Sequence, residues 1–140
     1  MSFNRIYDIA ASGLAAQRLR VQLIAGNIAN SETTRTPEGG AFRKRDAVFQ
    51  VQPLPPSADG SPLTGVKVAE VSVSREPFLQ KYEPGHPDAD ATGLVNYPNI
   101  NPVEEMVNLT EATRAYDVNV AVVRSVRTMS QSAIELLRVQ

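Results

Sequence analysis

The sequence predicts a mainly α-helical protein with a small β and loop insertion: long amino- and carboxyl-terminal helices that pair as a coiled coil, and short strands, a β-hairpin among them, in the middle. Three observations lead there. All ten prolines fall between Pro37 and Pro102, leaving both ends free of the residue that most disrupts a helix. Apolar residues at both ends recur at spacings of three, four and seven. The middle instead carries short β-branched runs punctuated by proline and glycine.

In the first segment Tyr7, Leu14, Val21 and Ile28 share one heptad position, and Phe3, Ala10, Gln17 and Ile24 the other, so seven of eight seam positions are apolar. Asn30, followed by a stretch rich in Ser, Thr, Pro and Gly, supplies the stop. Gly13 and Gly26 each cost about 1 kcal/mol relative to alanine in a helix interior, which points to packing rather than intrinsic helicity as the source of stability. The last segment opens with Asn101 as cap, Pro102 at the first helical position and Glu104 three residues after the cap. Glu104 and Glu105 complement the positive end of the helix dipole, and Arg138 the negative end. Leu109, Ala112, Tyr116, Val120, Val123, Val126, Ala133 and Leu137 form its main stripe. β-Branched residues crowd from Val118 to Val126, but no glycine or proline follows Pro102 to turn a strand there.

In the middle, strands are expected at Ala47–Gln52 and Val66–Val73, the second with a shift of alternation at Ala69 and Glu70 that suggests a bulge. Pro53, Pro55, Pro56, Asp59, Gly60, Ser61, Pro62 and Gly65 make the loop between them. A third short strand is expected at Gly93–Tyr97. The resulting division is 1–30 and 101–140 as two halves of an assembly domain and 31–100 as an insertion between them.

Composition removes several classes of function. Net charge is −1 and the basic residues are not concentrated at one end, unlike a nucleic-acid binder. There is no cysteine, so neither disulfides nor thiolate metal sites can form. Arginines interrupt both apolar regions, and no run of about 18 apolar residues exists to span a bilayer. A cleaved secretory signal is also a poor fit, because Asp8 lies in its apolar region and the helical pattern continues to Ile28. Any catalytic histidine would have to be His86, which lies in a proline-rich turn without a Gly-x-Ser-x-Gly motif, so no enzyme and no cofactor are expected. Asp88, Asp90, Thr92 and Gly93 imitate half of a calcium loop, yet the twelfth position is Asn99 and prolines flank it. A solvated acidic turn is the simpler reading, and Arg43-Lys44-Arg45 is likewise read as a solvated basic loop.

Two helices cannot bury both seams and the apolar residues beside them. Val118, Val122, Met129 and Leu136 fall to one side of the second helix's main stripe, which leaves apolar surface for further neighbours and implies assembly. The assembly seam is expected at Tyr7, Leu14, Val21, Ile24 and Ile28 in the first helix and Leu109, Tyr116, Val123 and Leu137 in the second, in each case through burial. The alternatives are a calcium-binding module built on Asp88 and Asp90, or a helical adaptor using the same seams on another partner.

Ser12-Gly13-Leu14-Ala15-Ala16-Gln17 together with Asn27-Ile28-Ala29-Asn30 resembles the amino-terminal signature of the rod and hook family of bacterial flagellar axial proteins. Glu32 to Gly40, Tyr82 to Asp90, Asn96-Tyr97-Pro98-Asn99 and Val103 to Val107 extend the resemblance and narrow it to subunits of the proximal rod. It covers nearly the whole chain and is weakest from Gln50 to Pro77. It implies a structural subunit of the drive shaft that crosses the periplasm, with the terminal helices lining a tube. Other rod proteins and copies of the same chain are the implied partners. It also implies export through the flagellar type III apparatus without a cleaved signal.

Overall fold

Both proline-free ends form single helices in the computed structural model, which describes residues 3–56, 60 and 62–138. Helix α1 spans Phe3–Ala29 and α2 spans Pro102–Arg138; between them lie β1 (Arg45–Leu54), β2 (Leu63–Val73), β3 (Leu79–Tyr82) and β4 (Leu94–Tyr97). α1 stops where expected, because the backbone N–H and the side-chain amide of Asn30 both donate to the Gly26 carbonyl, at 3.0 and 2.9 Å, satisfying an acceptor of the last turn. At the start of α2 the Asn101 side-chain oxygen accepts from the Val103 N–H at 3.1 Å, the expected cap. Glu104 stays exposed, while Glu105 turns inward.

The helices pack side by side and run in opposite directions: Asn27 of α1 bonds Glu105 of α2, and Gly13 lies against Asn119. Ala10, Ala16 and Ile24 from α1 and Ala112 and Val126 from α2 are buried. The small residues let the backbones approach closely. At Gly13 the fit is tight, since a Cβ would sit 3.0 Å from the Asn119 side-chain oxygen. At 1.5 Å per residue α1 is about 40 Å long and α2 about 55 Å. In this register Phe3 is level with Met129, so the last two turns of α2 run past the described start of α1, where Ile134, Leu136 and Leu137 are exposed.

β1 and β2 form an antiparallel hairpin. Val51 pairs with Val66, Phe49 with Val68, Ala47 with Val71 and Arg45 with Val73, while Ala69 is left over as a bulge. Directly paired residues share a face, so the bulge has a definite result. Without it Val71 and Val73 would point away from Val66 and Val68; with it all four join Ala47, Phe49 and Val51 on one side. The shift of alternation at Ala69 and Glu70 is therefore realised as expected. The strands are longer than expected and the loop shorter, because Pro53 and Leu54 still pair with Thr64 and Leu63. Proline is tolerated there because a two-stranded ribbon leaves one edge of each strand unpaired. Asp59 and Ser61, expected in the loop, lie outside the described residues. The hairpin lies along α1: Ser12 Oγ accepts from the Val66 N–H at 3.1 Å, and a Cβ at Gly65 would come within 2.7 Å of that oxygen.

β3 pairs with β4 in a second antiparallel hairpin. β4 matches the strand expected at Gly93–Tyr97 to within one residue. β3 was not expected, since Leu79-Gln80-Lys81-Tyr82 has no β-branched residue and is exposed throughout; its extended form depends on pairing with β4. Val95 of β4 is buried, as are Pro98 and Ile100 just after it.

Candidate assembly surfaces

The most deeply buried polar groups lie where α1, α2 and the base of β1 meet. Asn27 and Glu105 are 0% and 1% exposed. The Asn27 side-chain amide donates to the Arg45 carbonyl and to Glu105 Oε2, both at 2.9 Å, and its oxygen accepts from the Arg45 N–H at 2.9 Å. Glu105 Oε1 receives Lys44 Nζ at 3.0 Å and Asn108 Nδ2 at 3.3 Å. Burial opposes ionisation of Glu105, but the hydrogen bonds from Asn27 and Lys44 and the Lys44 charge outweigh it and hold the carboxyl below its ordinary value. Burial likewise works against the Lys44 charge, and the Glu105 hydrogen bond with the Asp46, Glu105 and Glu104 charges more than offsets it, raising the ammonium above its ordinary value. The charges neutralise one another, and the arrangement holds three segments together.

This network corrects the reading of Arg43-Lys44-Arg45 as a solvated loop. Arg43 donates to the carbonyls of Ser74 and Glu76 at 3.2 and 3.0 Å and lies 4.2 Å over the Phe78 ring. Lys44 pairs with Glu105, and Arg45 lies over Phe42. Glu105 is likewise more than a complement to the helix dipole. A signal for it is present in the sequence: Glu105, Ala112, Asn119, Val126 and Ala133 are spaced by sevens on one row of α2, and Asn27 lies three residues after the buried Ile24.

The acidic turn is held by its own backbone. Asp90 Oδ1 accepts from the N–H groups of Thr92 and Leu94 at 2.8 and 3.0 Å and from the Thr92 hydroxyl at 2.6 Å, and these bonds hold its carboxyl below the usual range. Asp88 receives the Thr34 hydroxyl at 2.8 Å and faces Arg35 at 3.4 Å. His86 Nδ1 accepts from the Asp88 N–H at 3.1 Å, a bond inside the turn. Among the described residues, no group of three or more His, Cys, Asp or Glu side chains is placed to hold a metal ion. An open cleft of about 450 Å³ beside α1 is lined by Leu23, Ile24, Ala47 and Phe49, with Arg20, Arg45, Asp46 and Asn108 at its rim.

Of the expected seam residues, Ile24 is buried; Tyr7, Leu14, Val21, Ile28, Leu109, Tyr116 and Val123 are half-buried within the chain; Leu137 is 78% exposed. The apolar surface left over lies elsewhere on α2. Val103, Val107, Val118, Val122, Met129 and Leu136 form a stripe along its outer side, with Val118 64% and Leu136 75% exposed. Four of these six are the residues expected from the sequence to remain uncovered. No helix among the described residues is long and apolar enough to cross a membrane.

Comparison with known proteins gives this geometry its context. Residues 8–35 match the family model for the flagella basal body rod protein, and residues 91–136 that for the carboxyl-terminal part of flagellar basal body rod FlgEFG proteins. Flagellar basal-body rod protein FlgC of Salmonella typhimurium is 43% identical over 136 residues, covering 97% of this chain and 98% of that protein. The chain belongs to the flagellar basal-body rod protein C family. Other members include the proteins of Borreliella burgdorferi, 39% identical over 144 residues covering 94% of this chain and 95% of the relative, and Bacillus subtilis, 32% identical over 141 residues covering 92% and 94%. The chain is thus a structural subunit of the flagellar basal-body rod and not an enzyme. The two family matches fall on α1 with the turn after it and on β4 with α2, so they bracket the β1–β2 hairpin without including it.

Proposed function

We propose that this chain is a subunit of the proximal rod, joined to other rod proteins and to copies of itself in the tubular shaft that crosses the periplasm and transmits torque. Residues 1–30 and 101–140 act as one assembly unit, its two helices pairing as a coiled coil and lining the tube, with 31–100 as an insertion facing neighbouring subunits. The observation that carries this is the outer stripe of α2. An isolated soluble domain rarely leaves this many large apolar side chains uncovered along one side of a helix, whereas a subunit of a shaft has neighbours to cover them. Tyr7, Leu14, Val21, Ile24, Ile28, Leu109, Tyr116, Val123 and Leu137 contribute what remains of their surface to the same contacts. Export through the flagellar type III apparatus without a cleaved signal agrees with α1 serving as a packing helix, with Ala10 and Ala16 buried, rather than as a removable apolar leader.

The test is Val118→Asp combined with Met129→Asp. Both residues are exposed in the single chain, so the helical circular dichroism of the purified variant should match wild type. A carboxylate forced into an apolar contact costs several kcal/mol, and the variant should be missing from rods and fail to restore motility to a strain lacking the wild-type chain. The control, Thr113→Asp on an exposed side of α2 away from that stripe, should assemble. Normal incorporation of the folded double variant would refute the proposal.

A further inference from the structure

We infer that Asn27, Glu105 and Lys44 form a register lock, which selects one sliding position of α1 against α2 and anchors β1 to it. The apolar part of the helix contact does not specify that position by itself. The inward row of α2 repeats every seven residues, through Glu105, Ala112, Asn119, Val126 and Ala133, and α1 presents Ala10, Gln17 and Ile24 at the same spacing. Sliding one helix by a heptad, about 10 Å, keeps the two rows in phase, which makes it the nearest competing register.

The polar groups remove that degeneracy. A slide in either direction parts Glu105 from both Asn27 and Lys44; in one direction Asn27 then faces Ala112. Asn27 keeps its two bonds to the Arg45 backbone but loses the acceptor at 2.9 Å, and Lys44 loses its partner at 3.0 Å. Leaving a buried charge or donor unpaired is a penalty that falls on the shifted registers and not on the native one. The base of the hairpin follows the same choice, because Lys44 and Arg45 are held by residues of the two helices. The close approach of Gly13 to Asn119 marks the selected register halfway along the pair. None of this depends on assembly into a rod; the lock operates within one chain.

The absence of cysteine makes the test direct. Gly13→Cys with Asn119→Cys places two thiols across the contact, where a Gly13 Cβ lies 3.3 Å from Asn119 Cγ, within the reach of a disulfide. Gly13→Cys with Ala112→Cys, and Gly13→Cys with Val126→Cys, report slides of one heptad either way. In the full chain at low concentration, only the first pair should oxidise within a monomer. In a Glu105→Leu, Lys44→Met background, the shifted pairs should rise from absent to an extent comparable with the native pair, while the helical signal is retained. If that background does not fold, Glu105→Gln serves instead: it keeps an acceptor for Asn27 but removes the partner charge of Lys44, and the shifted pairs should appear there to a smaller extent. Exclusive formation of the native pair in the folded background overturns the inference, as does oxidation of a shifted pair in the wild-type background.

Discussion

Replacing Glu105 with alanine removes the shared acceptor of three donors: Asn27 Nδ2 at 2.9 Å, Lys44 Nζ at 3.0 Å and Asn108 Nδ2 at 3.3 Å. Deleting one partner of a fully buried ion pair costs about 3–5 kcal/mol. Here the cost is smaller, because Lys44 keeps 25% of its side chain exposed and has Asp46 at 3.9 Å, so its ammonium can turn toward water. Asn27 and Asn108 are then left short of an acceptor, at roughly 1 kcal/mol each. With the void left by the carboxylate, the expected loss is about 2–3 kcal/mol, or roughly 6–12 °C in Tm for a chain of this size. The neighbouring Glu104 is exposed, and Glu104→Ala should stay within about 0.5 kcal/mol of wild type. Urea titration followed by far-ultraviolet circular dichroism, which reads the two helices, measures both variants. If the two alanine variants unfold within about 0.5 kcal/mol of each other, Glu105 does not hold the helix pair and the reasoning fails.

The same carboxylate gives a pH dependence. Its folded value lies below the ordinary glutamate value of about 4.3, so its stabilising contribution is complete above that value and disappears as pH falls through the lowered one. Wild type should therefore lose more stability than Glu105→Gln on acidification below about pH 4, and superimposable acid-unfolding curves would exclude this. Lys44 has the opposite sign: its contribution is complete below the ordinary lysine value and is lost as pH rises through the raised one, so Lys44→Met should flatten the alkaline limb of the stability curve. Asn101→Ala removes the cap of α2 and should cost about 1 kcal/mol by urea titration, while Asn101→Asp restores most of it; equal stabilities would argue against a capping role. Asp90→Ala should speed hydrogen exchange at Thr92 and Leu94 without changing the helical signal, and unchanged exchange would mean that the carboxylate does not shape the turn.

Local chemistry made much of the fold legible. The cap at Asn101 and the stop at Asn30 each depend on atoms within four residues of one another. The bulge at Ala69 was visible because a shift in alternation is the only way to keep Val66, Val68, Val71 and Val73 on one face. The uncovered side of α2 was readable from helical spacing alone. What escaped were features made by distant partners. β3 extends because it meets β4, although only Tyr82 among its four residues favours a strand. Arg43 and Lys44 looked solvated because Phe78 and Glu105, which occupy them, lie 35 and 61 positions away. Asn27 and Glu105 are 78 residues apart, and their burial follows from the register of the helix pair, which neither local sequence reveals. The seam residues were named as one set, yet Ile24 is buried inside the chain while Leu137 is open to partners.

The central claim is that this chain is built into the rod. Detergent-extracted hook–basal bodies from the source organism, analysed by quantitative mass spectrometry, test it most directly. The account predicts the chain in stoichiometric proportion to the other rod proteins. Its absence from particles that retain those proteins would contradict the assignment.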